Sequence, residues 1–141
     1  ILRPLGRVGR SRQLLKAIDI IGAKFHGTIP KTEGHLLQIP GVGKYTARAV
    51  MVFSYGRRVG LFDPNIARVL FRTFGFCSQK ARPHTDPVVW QAADQFSPSR
   101  HIKEYNWGLL DLASTVCTSR NPKCFKCPIH SICRYSLKIA S

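Results

Sequence analysis

The chain has 141 residues, enough for one domain with its own core, and its 44% hydrophobic content is that of a folded protein. Twenty-two Lys and Arg face seven Asp and Glu, giving a net charge of +15 and a pI near 10.3, a surface that attracts polyanions. Nucleic acid is the first partner this implies. An anionic membrane lacks the basic amphipathic helix it would need, no apolar run approaches the ~20 residues of a membrane span, and the plainer alternative is the basic surface of a thermophile protein.

The opening, "ILRPLGRVGRSRQ", is basic and has no apolar signal-peptide core. Residue 1 is Ile and the sole methionine is Met51, so the chain reads as a fragment or a processed form. Residues 11–25 carry helical spacing, with Leu14, Leu15, Ile18 and Ile21 expected inward. Thr32 can cap a short helix running through Gln38, and Pro40-Gly41 ends it. A second helix is expected from Lys44 to Ser54, with Gly56 past its end. "DPNIARVLFRTFG" is punctuated as a helix, with Asp63 at the N-cap, Pro64 in the first turn and Gly75 at C′. Ile66, Val69, Leu70 and Phe74 form its apolar stripe, and Arg68 and Arg72 share another face. After a loop, Asp86-Pro87 opens a helix to about Phe96. The last long helix runs from His101 to Val116, with Ile102, Tyr105, Leu109, Leu112 and Val116 inward. A cysteine segment and a short tail follow. No stretch alternates as a strand does, and the fold class is all-α.

The two short helices around "PGVG" form a hairpin. A helix N-terminus presents unpaired N–H groups, and glycines admit a phosphate at close range. Such a clamp fixes a protein on a nucleic-acid backbone without reading sequence. An ordinary αα-turn that needs glycine for its geometry would look the same.

Five cysteines are present, and four of them fall at C-x6-C-x2-C-x5-C: Cys117, Cys124, Cys127 and Cys133. That crowding is unlike a secreted disulfide framework. Zinc sites pair two close-spaced couples, whereas only Cys124 and Cys127 are such a couple here. Four thiolates in one loop can also wrap a [4Fe–4S] cluster, and spacing alone leaves both metals open. Thiolate ligation implies a reducing compartment. Cys77 lies apart and reads as a spare thiol.

The seven acids can be audited one by one. Asp19, Glu33, Asp94 and Glu104 fall on helix surfaces as solvated partners of Lys or Arg, and Asp111 sits mid-helix with a structural hydrogen bond expected. Asp63 and Asp86 remain. Each precedes a proline, each looks like a helix cap, and local chemistry does not choose between them.

"LQIPGVGKYTARAV" resembles the helix-hairpin-helix of the endonuclease III superfamily of base-excision DNA glycosylases. "FDPNIARVLFR" places Asp63 eighteen residues after Tyr45, in that superfamily's register. "YNWGLLDLASTVC" and the four cysteines match it as well, so the resemblance runs from about Leu5 to Cys133. It implies a helix-hairpin-helix glycosylase fold with a C-terminal iron–sulfur loop, and further helices ahead of residue 1. Residues 1–98 would be part of the hairpin-containing helical barrel, and 99–141 part of the cluster domain with its loop at 117–133. The resemblance selects a [4Fe–4S] cluster on Cys117, Cys124, Cys127 and Cys133, with a structural role that displays Arg120, Lys123 and Lys126 toward DNA phosphates. Gly41, Val42, Gly43, Lys44 and Thr46 would hold the backbone at the hairpin. Asp63 is selected as the carboxylate that stabilises oxocarbenium character on the sugar.

Tyr45 stands where bifunctional relatives carry the lysine that forms a Schiff base. A phenol cannot form that imine, and Lys44 points about 100° away round the helix. The expectation is a monofunctional glycosylase that leaves an abasic site, with Tyr45 lining the pocket of the flipped nucleotide, or simply packing. Thymine or uracil opposite guanine is the preferred target. "GVGKYTARAVM", "FRTFG" and "YNWGLLDLAS" look closer to that branch, and Pro64 stands where MutY-like members have Gly. Adenine opposite guanine or 8-oxoguanine is the alternative, and a non-catalytic DNA-binding module the alternative of another class. The partner would be duplex DNA with a mispaired or damaged base. The chain would act as a monomer in the cytoplasm or nucleoid, away from membranes.

Overall fold

A computed structural model describes residues 8–140 of the chain. The described residues hold seven α-helices, short 3-10 turns and no strand, so the expected all-α class holds. No helix among them is long and apolar enough to cross a membrane. The chain divides into two compact units, Ile1–Tyr55 and Gly56–Ser141.

The first unit contains α1 (Val8–Phe25), α2 (Glu33–Leu36) and α3 (Lys44–Phe53). Ala17, Leu36, Ile39 and Ala47 are buried together, with Ile21, Phe25, Val42, Val50 and Met51 packed around them. The inward face of α1 is therefore the row Ala17, Ile21, Phe25. Leu14, Leu15 and Ile18, expected inward, are 45%, 53% and 58% exposed. Thr32 caps α2 as expected, its Oγ1 accepting from the His35 N–H at 3.4 Å. That helix is a single turn, shorter than the expected run through Gln38. An ion pair ties α2 to α3: the nearly buried Arg48 donates from Nε to Glu33 Oε2 at 2.9 Å. Glu33 is thus an acid paired with basic residues, as expected.

The second unit contains α4 (Pro64–Phe74), α5 (Pro87–Phe96), α6 (Ile102–Thr115) and α7 (Arg134–Ala140). α4 is central and packs against α6 and α7. Ile66, Val69 and Leu70 are buried as expected, together with Leu61, Phe62, Val89, Trp90 and Ala93 of the same unit. Phe74 is instead 39% exposed and stacks on Phe96 with ring centroids 3.8 Å apart. On α6, Ile102 and Ala113 are buried, and the most enclosed position is Asn106, which donates to the Ile102 carbonyl at 2.8 Å. The tail after Cys133 is helical, where no helix was expected.

Asp94 is another departure. Rather than standing as a solvated surface acid, its Oδ1 accepts the Gly60 N–H at 2.7 Å. A Cβ on Gly60 would come within 2.2 Å of the Ala93 backbone, so only glycine allows this approach.

Candidate active site and cysteine-lined cavity

The hairpin's two glycines do different work. Gly41 has φ +83°, and a Cβ there would lie 3.2 Å from Gln13 of α1, so it serves the packing of the first unit. Gly43 is the N-cap of α3, with nothing within 4 Å of where its Cβ would be and no side chain to cover the helix end. Its side of the turn is open to a ligand. Val42 packs into the core, and Thr46 is exposed in the first turn. Lys44 Nζ stands 3.8 Å from Glu33 Oε1, which restrains its ammonium beside the turn. Tyr45 is half-buried at the second position of α3.

The two Asp-Pro carboxylates, alike in sequence, differ in space. Asp86 is 4% exposed and uses both oxygens. Oδ2 accepts from Ser78 Oγ at 2.7 Å and the Gln79 N–H at 3.3 Å, while Oδ1 caps α5 through the Val88 N–H at 3.1 Å. The Ser78 hydroxyl above all holds its carboxyl below the usual range. Burial opposes this, and the Val88 and Gln79 N–H groups and Lys80 reinforce it. Asp63 is half-exposed and divides its oxygens. Oδ1 caps α4 through the Asn65 and Ile66 N–H groups at 2.9 and 2.7 Å. Oδ2 meets only the Asn65 side-chain amide, at 3.4 Å. One carboxylate is consumed by structure; the other is held firmly by one oxygen and presents the second.

Asn65 leads on to Arg68, whose Nη1 donates to Asn65 Oδ1 at 3.2 Å. The same guanidinium donates to the Cys117 carbonyl at 2.8 Å and the Ala113 carbonyl at 2.8 Å, taking up acceptors that the end of α6 leaves unpaired. One turn on, Arg72 donates to the Thr118 and Ser119 carbonyls at 2.7 and 2.9 Å and approaches Cys117 Sγ at 3.5 Å. Its guanidinium also lies 4.8 Å from the Tyr135 ring. Two arginines of α4 thus fasten the start of the cysteine loop to the helix that Asp63 caps. The sequence placed them on one face but gave no sign of this use.

Cys117, Cys124, Cys127 and Cys133 line one cavity in the second unit, walled by Val69, Leu112, Val116 and Ile129. All four thiols are free. Burial first, then the neighbouring Cys117, Cys133 and Cys127, push the Cys124 thiol up. A soft, thiolate-binding cationic group fits such a set, since four sulfurs crowded in an apolar recess repel once ionised. Among the described residues, no three His, Cys, Asp or Glu close on a single metal ion. Arg120, Lys123 and Lys126 are all exposed on this loop, and Cys77 is exposed and is not among the residues that line the cavity.

No family model matches the chain. A thymine-DNA glycosylase of Aeropyrum pernix is 41% identical over 138 residues, covering 96% of this chain and 62% of the relative. The structure of a thermostable thymine-DNA glycosylase superposes with a TM-score of 0.84 at 32% identity, over 92% of this chain and 59% of that one. The chain is a homologue of the helix-hairpin-helix DNA glycosylases and has their fold. It is also similar to the human adenine DNA glycosylase, 33% identical over 131 residues that cover 92% of this chain and 24% of the relative. It spans about three fifths of the length of the thymine-type relative, 62%.

Proposed function

We propose that this chain is the hairpin and cluster-bearing part of a monofunctional DNA glycosylase that removes thymine or uracil opposite guanine. The observation that carries the reading is the divided Asp63 carboxylate, with Oδ1 locked by the α4 cap and Oδ2 presented outward. As the bond from C1′ to the base lengthens, positive charge spreads over C1′ and the ring oxygen, and an immobilised carboxylate stabilises it without reorganising. Water then adds at C1′ and loses a proton, the base leaves with a proton on its glycosidic nitrogen, and an abasic site remains. Tyr45 offers no amine, so no imine forms and the strand is not cut.

Gly43 opens the N-terminus of α3 to a backbone phosphate, with Gly41, Val42, Lys44 and Thr46 completing the hairpin that holds the strand. Arg120, Lys123 and Lys126 bind phosphates by charge. Cys117, Cys124, Cys127 and Cys133 would hold a [4Fe–4S] cluster, which when bound supplies cross-linking of the loop rather than a chemical step. A polynuclear cluster suits four thiols spread around one cavity better than a single zinc ion does. The partner is duplex DNA with a mispaired base, met by a monomer in a reducing, intracellular setting.

The preference for thymine rests on the 41% identity to the archaeal thymine-DNA glycosylase; the 33% identity to the human adenine enzyme supports adenine as the second reading. A single-turnover assay on duplexes with one G·T, G·U, G·A or 8-oxoG·A pair, with and without hot alkali, separates them. Cleavage of G·T and G·U strands only after alkali is the expected result. Cleavage confined to the adenine substrates would replace the base assignment. Tight binding with no excision of any would leave a DNA-binding module.

A further inference from the structure

Phe125 is 80% exposed, the most exposed of the large apolar side chains among the described residues. Single exposed hydrophobics are ordinary, but its setting is not. It is the middle residue of a 3-10 turn, Cys124–Lys126, closed by Lys126 N–H to the Lys123 carbonyl and Cys127 N–H to the Cys124 carbonyl, both 3.0 Å. The cysteines on either side face the cavity, and Pro122 and Pro128 stiffen both approaches. The ring is thus held outward on a rigid pedestal. Lys126 Nζ lies 5.7 Å from its centroid, and Lys123 and Arg120 are exposed nearby in sequence. Arg120, Lys123, Lys126, Arg134 and Lys138 follow Leu112 in the sequence, and no Asp or Glu does.

A flat apolar face with Lys126 beside it, in a segment that carries basic residues and no acid, is complementary to one common polymer, a nucleic-acid strand, in which phosphates alternate with apolar sugar and base faces. We propose that Phe125 is a DNA-contact residue, packing against a base or deoxyribose of the strand whose phosphates Lys123 and Lys126 bind. This rests on the glycosylase reading and adds to it an apolar contact beside the charged ones.

Stacking and charge respond differently to salt. Affinity for a duplex with one G·T pair would be measured against salt concentration for the whole chain and for Phe125→Ala, Phe125→Leu, Phe125→Trp and Lys126→Gln. Phe125→Ala is expected to bind about ten-fold more weakly at every salt concentration, with the wild-type slope. Phe125→Leu should stay weak and Phe125→Trp should recover, because a flat ring rather than bulk is required. Lys126→Gln should lower the slope by roughly one counterion. Phe125→Ala and Phe125→Leu binding within two-fold of wild type would overturn the proposal. So would a slope change in Phe125→Ala equal to that of Lys126→Gln. A wild type that binds the duplex through Phe125 but excises nothing would count against the glycosylase reading and leave this contact standing.

Discussion

Arg68 reaches Asp63 through a single side chain. Asn65 accepts from Arg68 Nη1 at 3.2 Å, and its own amide lies 3.4 Å from Asp63 Oδ2. The outward oxygen of the proposed catalytic carboxylate is therefore oriented by a group that Arg68 holds. Asn65→Ala should keep the cap, which uses backbone N–H groups, and release Oδ2. Single-turnover excision should fall roughly 10- to 100-fold with DNA affinity and melting temperature unchanged. Asp63→Asn, which preserves a good cap, should lose far more activity. Equal rates for Asn65→Ala and wild type would show that Oδ2 needs no orienting.

Arg68 also carries load of its own. Its bonds to the Ala113 and Cys117 carbonyls have no substitute among the neighbouring side chains described at that helix end. Arg68→Met should lower unfolding free energy by about 3 kcal/mol, the sum expected for two charge-assisted bonds left unmade. Hydrogen exchange should quicken first at the end of α6 and through residues 117–123. A uniform loss across the unit would argue against this clamp.

Tyr45→Lys puts an amine at the second position of α3. If the register with bifunctional relatives is right, borohydride should trap a covalent protein–DNA adduct during excision, and strands should break without alkali. Wild type should do neither. No adduct from an active Tyr45→Lys variant would mean that this position does not face the sugar.

Asp86 gives the acid limit of stability. Its folded pKa lies below the ordinary carboxylate value of 3.8, so its contribution is present above that value and lost as pH falls through the depressed folded one. Unfolding free energy should drop below about pH 4. Asp86→Asn has one acceptor oxygen and cannot serve both the Ser78 and Gln79 donors and the Val88 cap; it should be less stable at neutral pH and flatter with acid. Chemical denaturation at stepped pH measures both.

The sequence made the helices legible wherever punctuation and spacing agree. Asp63 with Pro64 and Gly75, and Asp86 with Pro87, mark α4 and α5 to the residue. On α1 the larger residues Leu14, Leu15 and Ile18 drew the face, although the row Ala17, Ile21, Phe25 has the same period. Small Ala17 lets α1 come close to Leu36 and Ile39, and bulk is a poor guide where close approach decides. The two Asp-Pro caps could not be ranked because the difference between them is tertiary: Ser78 folds back on Asp86, and nothing comparable covers Asp63. The Gly60–Asp94 bond spans 34 residues, and the arginine clamp on the cysteine loop more than 40. Neither leaves a local trace. The grouping of the four cysteines, being local, could be read from their spacing, and all four line one cavity.

The fastening of the α6 terminus sets a rule for how this protein can change length. One residue inserted into α6 beyond Asn106 would turn its last carbonyls by ~100° and advance them by ~1.5 Å. Ala113 and Cys117 would then leave the reach of Arg68, and the loop that begins there would lose its origin. In the loop from Phe76 to Arg82, Ser78 and Gln79 are fixed by Asp86, but the exposed Ala81 meets no such gauge, and the chain there can absorb extra residues. Among descendants of this chain, insertions should gather in that loop, while α6 keeps its count.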